Sequence, residues 1–291
     1  MRSSLIVLVA FFIVAAFALI SSNATAEDPP KERPRVAMCS PLFVAPKATS
    51  KVVIRGWKIE PATAVACDSP HITINILSKG PAAVPNKQDA KQIGDQQVEI
   101  EVTVGDKQES ATAVLTVVAP DGTSEPHTLL IGNSQSMTAD QEPNDGFRHA
   151  QVVQLPQTID GLIHADGNVD VFAFDLDQPN QVTVEVNARK LGSGLDGILT
   201  LYDSRYNILA DNDDHADSPD PYLTATLKAG RYFVVLQDAH DHGGPAHPYR
   251  LNAATCTLSH GIESCHRDVS KSSVFFPPCK LTFATPNFLN D

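Results

Sequence analysis

The sequence predicts an all-β protein built from two antiparallel β-sandwiches in series. Three observations lead to this prediction. Short apolar or alternating runs recur between Gly, Pro and Asp residues, which is typical of strands joined by turns. No long segment shows the 3.6-residue apolar period of an amphipathic helix. A polar stretch over residues 133–141 divides the strand-like runs into two groups.

The first group lies in residues 27–132, and its runs have the spacing of a small sandwich. They cover residues 51–55, 71–76, 98–104, 113–117 and 128–131. In the longest run, Val98, Ile100, Val102 and Val104 alternate with polar residues. A period of two places these four side chains on one face of a strand, so we expect them in a core.

The second group lies in residues 142–254 and again has sandwich spacing. Its runs cover residues 170–176, 182–186, 198–202, 223–227, 232–236 and 249–253. Residues 133–141 are predicted to be a linker. Residues 255–291 are predicted to be a cysteine-containing tail, to which the pattern assigns no structure.

The amino terminus predicts export. An apolar run from Leu5 to Ile20 follows Arg2 and precedes Ala24-Thr25-Ala26, a small-x-small cleavage site. Residues 1–26 are therefore predicted to be a signal peptide, and the protein is expected to be secreted or to lie in the cell envelope. After cleavage no membrane span is expected. An uncleaved anchor is the alternative, because the apolar run approaches the length of a membrane span.

Negative charge is concentrated in the second group. The whole chain has 34 acidic and 22 basic residues, a net charge of −12. Residues 140–254 alone hold 18 acids against 7 bases, and 16 of those acids are Asp. Such a surface repels phosphate groups, so nucleic acid and anionic lipid are not expected as partners. Cations are the charged species that it attracts.

The acids gather in loops that also carry Asn. These loops contain residues 142–145, then Asp166, Asn168 and Asp170, then residues 211–214. Short Asp and Asn side chains favour turns and present hard oxygen atoms to Ca²⁺. The pattern indicates calcium binding, with a solvated acidic face as the alternative.

Several motifs follow one another in the order of a known family. They are Glu142-Pro143-Asn144-Asp145, Ile159-Asp160-Gly161, residues 168–174, residues 195–203, residues 212–214, residues 229–234 and residues 249–251. On these residues the second half resembles the bacterial pre-peptidase C-terminal domain, a jelly-roll-like sandwich appended to secreted proteases and other exported proteins. It is similar to the collagen-binding domains of clostridial collagenases, which bind calcium.

The resemblance implies a calcium site and the residues that form it. Glu142, Asn144 and Asp145 would meet Asp170 at the head of a strand and fasten the preceding segment to the sandwich. The family often has a further Asp two residues before Asp170, where this chain has Asn168, a neutral oxygen donor. The implied ligands are therefore Glu142, Asn144, Asp145, Asn168 and Asp170, with Asp166 as a replacement for the missing acid.

Residues 27–132 resemble, less sharply, an immunoglobulin-like domain of the type found in plexins and transcription factors. The resemblance is carried by Pro41-Leu42, residues 53–57 and residues 119–122. Trp57 is the only Trp in the chain and is expected in the core.

The cysteines and histidines leave alternatives open. Cys39 and Cys67 are the only two cysteines before residue 133, and in an exported chain they form either a disulfide or two buried thiols. The others, Cys256, Cys265 and Cys279, belong to the predicted tail. His240, His242 and His247 lie around Gly243-Gly244-Pro245, which is typical of an exposed loop, with a transition-metal site as the alternative.

All five tyrosines lie in the second half, and four of them are Tyr206, Tyr222, Tyr232 and Tyr249. Tyr206 and Tyr222 fall in predicted turns and are expected to be exposed. Tyr232 and Tyr249 begin predicted strands and are expected to pack partly inward. By analogy with the collagenase domains, some of them would form an aromatic face for an extended peptide.

The function predicted from these features is a secreted, non-enzymatic, calcium-stabilised binding or adhesion module for extracellular protein or polysaccharide. The sequence contains no His-Glu-x-x-His, no Gly-x-Ser-x-Gly and no phosphate-cradling loop. An accessory or targeting module of a secreted peptidase is the first alternative. A hydrolase that uses the carboxylates of Asp211, Asp213 and Asp214 is the second.

Overall fold

The computed structural model describes residues 32–85, 87–108, 111–132 and 137–256. The predicted signal peptide and nearly all of the predicted tail lie outside these described residues. The described chain belongs to one compact unit that begins at Glu32. Its regular structure is almost entirely β-strand, which confirms the all-β prediction.

Two sheets form the first sandwich. Its elements are β1 (Arg35–Ser40), β2 (Phe43–Val44), β3 (Thr49–Trp57), β4 (Ala64–Cys67), β5 (Ile72–Pro81), α1 (Ala90–Ile93), β6 (Gln96–Val104), β7 (Thr112–Ala119), β8 (Gly122–Thr123) and β9 (His127–Ile131). One sheet has the order β1-β3-β6-β5, and the other has the order β2-β9-β7-β4 with β8 paired to β7.

Two further sheets form the second sandwich. Its strands are β10 (Met137–Ala139), β11 (Gln151–Val152), β12 (Gln157–Leu162), β13 (Val169–Leu176), β14 (Asn180–Asn187), β15 (Gly197–Asp203), β16 (Ile208–Asn212), β17 (Tyr222–Leu227), β18 (Gly230–Asp238) and β19 (Pro248–Cys256). Their orders are β10-β12-β19-β14-β17 and β11-β13-β18-β15-β16. A 3₁₀ turn covers Arg189–Leu191.

Most strand pairs are antiparallel, and the parallel pairs are short and lie at sheet edges. β2 pairs with β9, β10 with β12 and β11 with β13 in parallel. β10 lies within the segment predicted as a linker, so that segment is partly ordered as an edge strand of the second sandwich. β19 runs two residues into the predicted tail.

Each sandwich has its own apolar core. On β6 the alternation seen in the sequence places Val98, Ile100, Val102 and Val104 inward, all almost completely buried. β13 is buried on both faces, because Phe172 and Phe174 enter the core while Val171 and Ala173 pack under Phe147 outside it. Burying each such side chain stabilises the fold by about 1.5–3 kcal/mol.

The helix and the loop before it connect the first sandwich to the second. Arg55 is 1 % exposed and donates hydrogen bonds to the carbonyl oxygens of Ile93, Ala83 and Gly94, which holds this segment in place. Ile93 then packs with Met38 of β1 and Ala246 of the second sandwich. The buried guanidinium therefore supports the contact between the sandwiches from within the first one.

Trp57 lies beside the same helix and not in the core. Its side chain is half-buried, its Nε1 donates to the Ala90 carbonyl oxygen at 2.7 Å, and the Arg35 guanidinium lies 4.7 Å from the ring centroid. The expectation that Trp57 fills the core is wrong. An indole N–H needs an acceptor when it is covered, and the carbonyl group of Ala90 supplies one at the edge of the sandwich.

Arg250 of β19 forms an ion pair within the second sandwich and also contacts the first. Its Nε and Nη2 donate to the two carboxylate oxygens of Asp160 on β12, at 2.5 and 2.6 Å. Its guanidinium also lies over the ring of Phe43 in the first sandwich, 3.2 Å from the centroid. The Arg250 side chain is only 7 % exposed, so this pair is shielded from water.

We predict that Arg250→Met destabilises the protein by about 3–5 kcal/mol, because it leaves the Asp160 carboxylate without its partner in a partly buried site. The matched control is Arg231→Met, since Arg231 makes the same two-point contact with Asp175 in an exposed position. That change should have little effect on stability. Denaturant unfolding of both variants provides the measurement, and equal losses would contradict the prediction.

Candidate functional site

A short acidic stretch, Asp140–Asp145, follows β10 and leads into the rest of the second sandwich; it is here called the junction segment. It is held by backbone hydrogen bonds at both ends. The N–H of Asp140 donates to the Asp160 carbonyl oxygen at 2.9 Å, and the N–H of Val171 donates to the Asn144 carbonyl oxygen at 3.1 Å. These two bonds attach one end of the junction segment to β12 and the other end to β13.

Three carboxylates converge where the junction segment meets β13. Oxygen atoms of Asp140, Glu142 and Asp170 all lie within 4.8 Å of one another. Asp170 is the second residue of β13 and is 0 % exposed, whereas Asp140 and Glu142 are more accessible to solvent. Burying a carboxylate beside two others is unfavourable unless a proton or a cation compensates the charge.

Two buried oxygen atoms at this cluster have no hydrogen-bond donor among the described residues. They are Oδ1 of Asp170 and Oδ1 of Asn144, whose side chain is 0 % exposed. The Asn144 side-chain amide donates to Asp140 Oδ1 at 2.7 Å, which fixes its orientation. Leaving a buried polar atom without a partner costs about 1–3 kcal/mol. Two such atoms beside three carboxylates are the arrangement that a bound cation would satisfy.

The electrostatics of the cluster favour a proton in the absence of a cation. Burial and then the negative charge of Asp140 raise the pKa of Asp170 to about 8, while a hydrogen bond from Tyr249 acts in the opposite direction. Burial and the charge of Glu142 raise the pKa of Asp140 as well. The cluster therefore holds a proton that a metal ion would displace.

Three residues outside the junction segment complete the surroundings. The Tyr249 hydroxyl donates to Asp170 Oδ2 at 2.5 Å, and burial raises the pKa of that phenol well above its ordinary value. Gly161 faces the Tyr249 ring, and a Cβ atom there would collide with it. His164 Nδ1 lies 2.6 Å from Glu142 Oε1. These contacts orient two of the three carboxylates.

The structure brings together some of the residues that the sequence singled out. Glu142, Asn144 and Asp170 lie at the cluster. Asp145 and Asn168 form a pair instead, in which the Asn168 side-chain amide donates to Asp145 Oδ1 at 2.7 Å. Asn168 Oδ1 also accepts from the N–H of His164 at 3.0 Å.

Sequence reasoning missed Asp140, which it assigned to the linker. The signal that would have found it is the alternation Asp140-x-Glu142-x-Asn144, which places three oxygen-bearing side chains on one side of an extended segment. Asp166 does not join the carboxylates, because its Oδ1 accepts from the N–H of Gly243 at 3.1 Å.

The second acidic loop, residues 211–214, is exposed and its polar groups shape the turn. Asp213 Oδ1 accepts from the N–H of Asp214 at 2.8 Å, and Asn212 Oδ1 accepts from the N–H of Tyr222 at 2.9 Å. Tyr222 is half-buried at the start of β17, although it was expected in an exposed turn.

The tyrosines and cysteines among the described residues differ in how deeply they are buried. Tyr206 is 52 % exposed, while Tyr232 and Tyr249 are buried, all as expected. Within the described ranges Cys39 and Cys67 are free thiols. Cys39 is buried and Cys67 half-buried, and burial raises the pKa of Cys39 to about 12.

The fold and the cluster define a β-sandwich module whose amino-terminal junction is built from acidic side chains. Residues 168–238 match the family of the bacterial pre-peptidase C-terminal domain. This match is to the family that the sequence motifs indicated. Comparison with curated proteins gave no match.

Solved structures of low similarity cover parts of the chain. The pre-peptidase C-terminal domain of a Bacillus anthracis collagenase is 19% identical over 36% of this chain and 93% of that one, with a TM-score of 0.31. Aeromonas hydrophila PliG, a periplasmic inhibitor of g-type lysozyme, is 11% identical over 41% and 96%, with a TM-score of 0.28. Domains CBM51-2 and INT of Clostridium perfringens ZmpB are 12% identical over 63% and 41%, with a TM-score of 0.26. These TM-scores are too low for the structures to bear on function.

Among the described residues, no helix combines the length and the apolar composition needed to cross a membrane.

We predict that the calcium-free protein becomes less stable as the pH rises. The pKa of Asp170 is about 8 in the folded state, against an ordinary value of 3.8, so the folded protein holds a proton that the unfolded chain has released. The contribution of Asp170 to the free energy of unfolding is complete below its ordinary pKa. As the pH rises from there to about 8, this contribution falls by at most about 1.4 kcal/mol per pH unit.

Asp170→Asn should flatten this dependence, because it removes the titrating group but keeps the shape of the side chain. The measurement is denaturant unfolding in chelator between about pH 5 and 9. The same slope in the wild type and the variant would show that Asp170 does not hold the proton.

Proposed function

We propose that the protein is an exported, non-enzymatic binding module in which a calcium ion fastens the junction segment to the second sandwich. The observation that carries the calcium proposal is the pair of buried oxygen atoms without partners in the described chain, Asn144 Oδ1 and Asp170 Oδ1, beside three converging carboxylates. Carboxylate and amide oxygens are the ligands that calcium takes in proteins.

The ligand set fits calcium better than it fits a transition metal. Asp140, Glu142 and Asp170 would supply carboxylate oxygens and Asn144 its amide oxygen, so all donors are hard oxygen atoms. Calcium takes roughly six to eight oxygen ligands, and bidentate carboxylates reach that range. The charge of a bound Ca²⁺ would replace the proton held at Asp170.

The position of the cluster explains what an ion would do. The junction segment supplies Asp140, Glu142 and Asn144, whereas Asp170 belongs to β13. An ion bound by both would tie the beginning of the domain to the sheet. The Asp145–Asn168 pair makes a second bridge between the same two parts of the chain, so it would brace the site without contacting the ion.

The ion would also position an aromatic surface. Phe147 lies two residues after the junction segment. Its ring centroid is 4.5 Å from that of the exposed Tyr206, with the rings stacked, and 5.2 Å from that of Phe233. Exposed Ile208 and Leu209 lie two and three residues after Tyr206. We propose this surface as the place where extracellular protein or polysaccharide binds, since exposed aromatic side chains supply a large contact area.

We predict that calcium stabilises the folded protein. At a concentration about 100-fold above the dissociation constant, an ion that binds only the folded state adds about 2.7 kcal/mol and raises the melting temperature by several degrees. Asp170→Asn should remove most of this gain. Calorimetric melts of the full chain in calcium and in chelator provide the measurement.

Asp213→Asn is the matched control, because it also neutralises one Asp but lies on the exposed turn away from the cluster. It should keep the calcium response. If Asp213→Asn abolished the response and Asp170→Asn did not, the exposed turn would be the calcium site. Identical wild-type melts in both buffers would refute the calcium proposal.

We predict that retention on extracellular matrix or cell-wall fractions depends on calcium and on Tyr206. Tyr206→Ala should weaken retention by about 1 kcal/mol or more, roughly fivefold, as loss of an exposed aromatic anchor does. Ser204→Ala on the same turn is the control and should bind normally. Retention that is unchanged by Tyr206→Ala would place the binding surface elsewhere.

An accessory role in a secreted peptidase system is the second candidate function. It is supported by the match of residues 168–238 to a domain family defined by its association with peptidases. The same retention experiment separates the two functions. Recovery of a peptidase with the full chain, together with no retention on matrix or cell wall, would favour the accessory role.

A further inference from the structure

The loop Gly243–His247 of the second sandwich contacts the loop and helix of the first. The Gly243 carbonyl oxygen accepts a hydrogen bond from Gln88 Nε2 at 2.7 Å. Ala246 packs with Met38 and Ile93 in a small buried cluster of its own. The loop directly precedes β19, which begins at Pro248, and it is one of the places where the two sandwiches touch.

His247 is the last residue of this loop, and its buried surroundings accommodate only the neutral imidazole. Its side chain is 1 % exposed, and its Nδ1 has no hydrogen-bond partner in the part of the chain that the structure describes. Its ring packs so closely on Gly194 that a Cβ atom there would lie 3.3 Å from Cε1. A protonated ring would bury both a charge and a donor without an acceptor.

The charged and titratable groups that face His247 do not compensate for this burial. They are Asp238 at the end of β18, Asp166 in the loop before β13, and His242. Burial has the largest effect and lowers the pKa of His247, and His242 acts in the same direction. Asp238, the backbone of Gly244 and Asp166 oppose the shift without reversing it. Asp238 already accepts hydrogen bonds from the N–H groups of Asp196, His240 and His242.

We propose that the loop Gly243–His247 is an acid-sensitive latch between the two sandwiches. At neutral pH the uncharged His247 allows the loop to close on Gln88 and Ile93. In acid, protonation of His247 favours an opened loop in which the ring reaches water, and the contact with the first sandwich is lost. The closed form is therefore fully stable above the ordinary pKa of His and loses stability as the pH falls.

Trp57 reports on this contact, because its Nε1 donates to Ala90 in the helix that the latch touches. The experiment follows Trp57 emission and the radius of gyration of the full chain in calcium, from about pH 7.5 to about pH 4.5. We expect one reversible transition below the ordinary pKa of His, with a larger radius in acid. His247→Gln should abolish the transition or shift its midpoint by more than about one pH unit.

His240→Gln is the control variant, since His240 is exposed and lies in the same loop region. It should leave the midpoint unchanged. If His247→Gln does not fold, NMR titration of the wild-type imidazoles decides the matter, because the His247 midpoint must coincide with the Trp57 transition.

Repeating the titration in chelator separates the latch from the acidic cluster. The same midpoint with and without calcium supports the latch, whether or not calcium binds. A transition that occurs only in chelator, that persists in His247→Gln, or that is absent from the wild type overturns the proposal.

Discussion

The burial of the Asp170 carboxyl group is the constraint on which the amino-terminal end of the second sandwich depends. A carboxylate without solvent contact at the head of a core strand is stable only if its surroundings supply donors, a proton or a cation. Tyr249 supplies one donor, and the raised pKa of Asp170 shows that this donor alone does not compensate for burial and for the neighbouring charge of Asp140. The junction segment follows from the same requirement, since carboxylate oxygen atoms of Asp140 and Glu142 lie within 4.8 Å of that of Asp170.

Strand β19 links this cluster to the contact between the sandwiches. Tyr249 and Arg250 are consecutive, so their side chains point to opposite faces of the sheet. The first donates to Asp170, and the second pairs with Asp160 and lies over Phe43. A displacement of β19 at this position would therefore change both the carboxylate cluster around Asp170 and the contact with Phe43. His247 precedes the same strand, which places all three features within four residues.

The two buried arginines show different ways of accommodating a guanidinium group. Arg55 is surrounded by backbone carbonyl oxygens, and burial lowers its pKa. Arg250 instead has a carboxylate partner and an aromatic ring. The first arrangement holds a segment of the same sandwich in a fixed shape. The second joins strands that are far apart in the sequence and also contacts the other sandwich.

The sequence was sufficient for the fold class, which is encoded in local patterns, whereas the residues singled out at the cluster came from the family resemblance. Alternation along β6 identified core residues directly, and the family motifs identified Glu142, Asn144 and Asp170. The sequence was not sufficient for side chains whose hydrogen-bond partner lies far away in the chain. Gln88 and Gly243 are 155 residues apart, and no local signal connects them. Trp57 was misplaced for the same reason, since its acceptor, Ala90, lies 33 residues away.

The two explanations of the acidic composition, a solvated surface and a cation site, apply to different residues. Asp203 accepts from the N–H groups of Arg205 and Asn207, and Asp220 accepts from those of Arg189 and Lys190. These acids shape turns, which explains why Asp outnumbers Glu so strongly in this half. Only Asp140, Glu142 and Asp170 converge in the described chain. Charge density alone therefore does not locate the candidate metal site, which is distinguished by the burial of Asp170 and by oxygen atoms that lack donors.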